Sequence, residues 1–182
     1  MKMNKLASVL LLSMGMVAAG ANAADQGQGK VTFTGSIIDA PCSITPETAD
    51  QTVVLGQVAS HVLKDGGTSA PKNFTIDLEN CSFGTDAGES DATGNSVSVT
   101  FSGTASTQDP KLLGLTGEAA GAGVAIADES GKLLNVGTPS SLYNLSGTNP
   151  SLGFTAYLKG ISGQTITTGD FESVANFTMD YQ

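Results

Sequence analysis

The chain has 182 residues, with 17 acidic side chains against 8 basic ones and a formal charge of −9. It contains no arginine and no tryptophan, while 23 glycines, 19 serines and 20 threonines make up about a third of it. An arginine-free acidic chain argues against a nucleic-acid partner, because phosphate contacts need clustered positive charge. Two cysteines rule out a disulfide-dense miniprotein and leave a structural zinc site without ligands. A hydrophobic share of 40% allows a real core. The glycine, serine and threonine excess favours many short strands and turns over long helices.

At the amino terminus Lys2 and Lys5 precede an apolar run over residues 6–19, and Ala21-Asn22-Ala23 follows. This is the order of a secretory signal peptide, residues 1–23, with cleavage expected after Ala23. The run is shorter than the roughly 20 residues a bilayer span needs, so no membrane-spanning segment is expected. The exported chain, residues 24–182, would keep all 17 acidic groups and six of the 8 lysines. That is the size of one domain. Export to an oxidising compartment predicts a disulfide between Cys42 and Cys81. The competing reading is a pair of free thiols.

Period-two patterns then recur along the chain, and helical periods are weak throughout. Val31, Phe33, Gly35 and Ile37 share one parity against Thr32, Thr34 and Ser36. Residues 53–58 read as a short strand interrupted at Gly56. Phe74, Ile76 and Leu78 alternate with Thr75, Asp77 and Glu79 and lead into Cys81. The polar stretch 84–96 is an expected exposed loop. Val97, Val99 and Phe101 form the next apolar row, and the Ala/Gly-rich stretch 117–123 is a candidate flexible segment. Val124 and Ile126 run into the turn Asp128-Glu129-Ser130-Gly131, with Leu133 and Leu134 on the return. Leu152, Phe154, Ala156 and Leu158 alternate again. In the last segment Ser173, Ala175, Phe177, Met179 and Tyr181 share one face, opposite Val174, Asn176, Thr178 and Asp180. Short alternating strands separated by glycine and polar turns predict an all-β sandwich in a single domain.

Two strands stand out in this inventory. The last one runs to the end of the sequence, and the one at 31–37 follows a polar leader as though on a free arm. Such strands can pair within one sandwich, or they can pair between molecules.

The stretch from Gln26 through Lys30-Val-Thr-Phe-Thr-Gly-Ser-Ile-Ile-Asp-Ala-Pro-Cys42 to Ile44 resembles the amino-terminal region of chaperone–usher pilus subunits, above all major rod subunits of the P-pilus and type 1 kind. At the other end Gly169 is fourteenth from the terminus and Tyr181 penultimate, within an alternating apolar strand, as in that family. The resemblance extends over the whole chain; its two ends are specific and its middle is generic β sequence. It implies an incomplete immunoglobulin-like sandwich lacking its final strand. The groove left open would be flanked by a terminal strand carrying Gly169, Ala175, Phe177, Met179 and Tyr181. A periplasmic chaperone would lend a strand to that groove. At an outer-membrane usher the amino-terminal extension of the next subunit, here residues 24–38 with Val31, Phe33, Gly35 and Ile37, would replace it. Residues 39–182 would be the pilin domain, and the product a homopolymer displayed outside the cell.

No enzymatic site is expected. His61 is the only histidine and reads as a surface or loop residue. Ser69-Ala-Pro-Lys72 matches S-x-x-K, but its companion elements are absent. Asp86, Glu89 and Asp91 fail the spacing of a calcium loop. No cofactor or metal is expected. The leading reading is therefore a structural rod subunit. A minor adaptor subunit and a secreted single-domain adhesin are the alternatives, although scarce aromatics (5%) suit a sugar-binding platform poorly.

Overall fold

A computed structural model of the chain describes residues 29–83 and 95–182. The expected signal peptide and most of the polar loop expected at 84–96 lie outside the described residues. The chain divides into two units, Met1–Ile37 and Ile38–Gln182.

The second unit is built from short antiparallel strands. In order they are β1 (Ser43–Ile44), β2 (Lys72–Glu79), β3 (Ser96–Gly103), β4 (Thr116–Gly117) and β5 (Ala122–Asp128). After them come β6 (Leu133–Leu134), β7 (Tyr143–Asn144), β8 (Ser151–Gly160), β9 (Phe171–Glu172) and β10 (Ala175–Tyr181). One sheet has the order β1-β2-β8-β5-β6 and a second has β10-β3-β7, with β4 and β9 forming a small pair of their own. Among the described residues, helix is confined to one turn, α1 (Pro46–Ala49), and a 3-10 segment, Ser60–Gly66.

Register follows the alternation read from sequence. Phe74 faces Phe154 and Ile76 faces Leu152 across β2 and β8. Val99 pairs with Met179 and Phe101 with Phe177 across β3 and β10. A one-residue slip would turn each apolar row to solvent, so burial on the inner face fixes the pairing. The sheets meet through aromatic rings: Phe101 of one lies edge-on to Phe154 of the other at 5.0 Å between centroids and to Phe74 at 6.1 Å, while Phe74 and Phe154 stack within their own sheet at 5.5 Å. Offset and T-shaped contacts at these separations are the favoured aromatic geometries.

Several local expectations are corrected. β5 is buried at all seven positions. Its outer face carries a second small core in which Ala125 packs with Leu112 and Ile161. Gly123 permits this, because a Cβ there would lie 2.8 Å from Leu112 Cβ and from the Leu113 carbonyl oxygen. Residues 117–123 are not a free loop either. Ala120 exchanges backbone hydrogen bonds with Thr167, and the amides of Glu118 and Ala119 donate to the Asp170 carbonyl. Residues 31–37 and 53–58, both read as strands, form no ladder among the described residues.

The disulfide Cys42–Cys81 ties the chain just before β1 to the end of β2. Nearby, the Ser82 amide donates to the Pro41 carbonyl and the Thr45 amide to that of Asp77. Ser69 is buried and serves the fold: its hydroxyl accepts from the Leu158 amide and donates to the Ala70 carbonyl. His61 is exposed in the 3-10 segment.

Two outcomes follow from these contacts. Replacing both Cys42 and Cys81 by serine removes a cross-link spanning 39 residues. This should destabilise the domain by about 4 kcal/mol on the chain-entropy account. The check is abundance of the exported chain on immunoblots, and unchanged abundance would count against the disulfide as a brace. Gly160→Ala would drive a methyl group into the Leu63 carbonyl oxygen and lift the 3-10 segment from β8. Thermal unfolding should then begin at lower temperature than in the parent.

Candidate functional site

The sandwich is open along one side. Among the described residues β10 bonds only to β3, and its other edge has no partner. Facing it, residues 51–58 make no backbone hydrogen bond to any other described residue. Between the two lies a groove of about 1250 Å³. Its walls are residues 49–58 on one side and 166–177 on the other. Its floor is the sandwich core itself, with Phe74, Phe101, Val124, Ile126 and Leu158 contributing from four strands. The volume exceeds the usual span of small-molecule pockets, and the seven residues of β10 give an open edge about 23 Å long. An extended polypeptide is the occupant with that shape, since it can bond to both unpaired edges and place alternate side chains on the floor.

Sequence parity along the terminal segment is reproduced. Phe177, Met179 and Tyr181 are partly buried and pack against the core, whereas Thr178 and Asp180 are exposed. Gly169, Ala175 and Phe177 line the groove. Met179 and Tyr181 continue the same face beyond it, with the Tyr181 hydroxyl 3.9 Å from Met179 Sδ. Burial pushes the Tyr181 phenol above its ordinary pKa.

Gly169 has two reasons to be glycine. Its φ is +152°, and a Cβ there would stand 2.6 Å from Glu118 Cβ. The crossing of residues 114–120 over 169–173 is what brings these backbones together. Within it β4 pairs with β9, Thr116 donates its hydroxyl to the Glu172 carbonyl, and Ser173 donates its own to that of Gly114. This strap holds the start of the terminal segment in place at the rim of the groove.

On the other unit, Val31 is 75% exposed, Phe33 90% and Ile37 104%. Three large apolar side chains of one parity are thus uncovered, and Gly35 interrupts their row. A Cβ built at Gly35 meets nothing within 4 Å. Sequence reasoning found this row and the terminal strand but missed the opposite wall and the strap. Val53, Leu55 and Val58 do carry an apolar pattern, yet only the sandwich shows that no described strand pairs with them.

A family model described as fimbrial protein matches residues 31–182. The chain is 48% identical over 183 residues to the major MR/P fimbria protein of Proteus mirabilis (strain HI4320), covering all of both chains. Among solved structures, a chaperone–usher pilus subunit from a study of rod uncoiling matches with a TM-score of 0.75 and 34% identity, over 86% of this chain and 97% of that one. The P pilus rod subunit PapA matches with a TM-score of 0.69 and 30% identity, over 79% and 100%. These matches carry the immunoglobulin-like fold with them. An antiparallel sandwich with two unpaired edges, matched over nearly its whole length by fimbrial subunits, belongs to the fimbrial protein family and is a structural subunit of a surface fimbria.

Proposed function

We propose that this subunit polymerises by lending its arm to the groove of a second copy. Residues 24–38 act as the donor strand, and the groove between residues 51–58 and β10 accepts it. The observation that carries this reading is the presence, in one chain, of an apolar groove with two unpaired edges and an uncovered apolar row on a separate unit. Burying Val31, Phe33 and Ile37 against the floor is worth about 5–9 kcal/mol before ordering costs, at roughly 1.5–3 kcal/mol per large side chain. Ladder bonds to both edges add to it. Gly35 keeps the donor backbone free of a side chain where it lies close to the groove. Before assembly a periplasmic chaperone covers the groove with a strand of its own, and an outer-membrane usher is where the exchange takes place.

The full-length match to a major fimbria protein favours the abundant rod subunit, assembled as a homopolymer, over a minor adaptor. Its role is mechanical and architectural, with no catalytic step. The disulfide partners Cys42 and Cys81 belong to this account as a brace within the domain that borrows the strand.

Phe33→Asp places a charge where an apolar contact is required, and burying an unpaired carboxylate is prohibitive. Gly35→Asn adds a side chain at the close approach. Both variants should leave a foldable subunit and abolish filaments. Unheated gel electrophoresis of sheared surface material should give a ladder of multimers for the parent and none for either variant. An undiminished ladder in both would overturn the assignment of residues 24–38 as donor.

A further inference from the structure

Of the five methionines, four stand at positions 1, 3, 14 and 16, inside the expected signal peptide, and the fifth is Met179. The chain has no tryptophan, and its two cysteines are joined to each other. Met179 is thus the one readily oxidised side chain left after export. It lies on the inward face of β10, the strand with an unpaired edge, between Phe177 and Tyr181. It is only partly buried, on the same face as Phe177 but just past the end of the groove lining. Its sulfur already sits beside the Tyr181 hydroxyl.

We propose that Met179 is an oxidation site that controls whether the groove can accept a strand, open to peroxide-class oxidants in the unassembled subunit and shielded in the filament. This rests on the donor-strand reading of the groove. In the reaction a sulfur lone pair attacks one peroxide oxygen, an S–O bond forms and the O–O bond breaks. The departing hydroxide takes up a proton and leaves as water. Sulfur loses two electrons and the peroxide gains them.

The product is a polar, chiral sulfoxide where a thioether had been. Tyr181 can still donate a hydrogen bond to it, so the free subunit tolerates the change. An incoming apolar strand would have to bury the S=O dipole along the edge it pairs with, and burying a polar group without full hydrogen bonding is costly. Once a strand is seated, the same strand excludes the oxidant. Oxidation therefore acts on subunits awaiting assembly and spares those already in a filament.

The test uses the full exported chain carrying Phe33→Asp, whose own arm is disabled while its groove is intact, and a synthetic peptide of residues 24–40 as donor. Peroxide treatment followed by peptide mass spectrometry should add one oxygen at Met179, at least about tenfold more slowly when donor peptide is bound beforehand. Pre-oxidised subunit should capture the peptide at least about tenfold more weakly. Treatment with the two methionine sulfoxide reductase classes, one for each epimer, should restore capture. Equal oxidation rates with and without peptide, undiminished capture after oxidation, or a loss that the reductases do not reverse would each overturn the proposal. If untreated subunit fails to capture the peptide at all, the donor-strand reading itself falls and takes this inference with it.

Discussion

Two facing backbone edges that have no pairing partner among the described residues set the problem the rest of the structure is arranged around. Among the described residues β10 satisfies its hydrogen-bonding groups toward β3 alone, and residues 51–58 bond to no other backbone. Unpaired groups of this kind are tolerable only while water reaches them. Yet they border an apolar floor that water solvates poorly. The two requirements conflict, and on the proposed reading one extended strand from a second subunit would resolve both. It would pair with each edge and cover the floor with alternate side chains. An edge that ordinary sandwiches blunt against aggregation is left open here among the described residues.

Most of the remaining architecture keeps those edges apart and in place. The strap formed by β4 and β9 fixes the entry to β10, and Gly169 allows the strap to approach so closely. On the opposite side the disulfide, β1 and α1 anchor the chain just before residues 51–58 leave the sheet. The amino-terminal stretch therefore carries two complementary parts in sequence: an exposed apolar row at 31–37, then the wall of a groove at 51–58.

The sequence was informative wherever the cause is local. Alternation at 74–78, 97–101, 152–158 and 175–181 identified the strands, because one buried face imposes a period of two. Parity likewise placed Phe177, Met179 and Tyr181 on one side. What was illegible depends on partners distant in the chain. The apolar pattern at Val53, Leu55 and Val58 looks the same whether or not a strand lies alongside. The glycines at 117, 121 and 123 look like flexibility until the backbones of Asp170 and Thr165 and the side chain of Leu112 are seen against them. The buried outer face of β5 was hidden for the same reason, since Leu112 and Ile161 reach it from outside the strand. The resemblance at the two ends supplied the idea of a missing strand, which no periodicity contains.

The central claim is that residues 51–58 and the free edge of β10 acquire backbone partners only when a second molecule provides them. Amide hydrogen exchange, compared between assembled filaments and the unassembled Phe33→Asp subunit, tests this directly. The account predicts that amides in residues 51–58 and along the outer edge of β10 exchange rapidly in the subunit and become strongly protected in the filament, while β2 and β8 are protected in both. Equal exchange of residues 51–58 in the two states would contradict it.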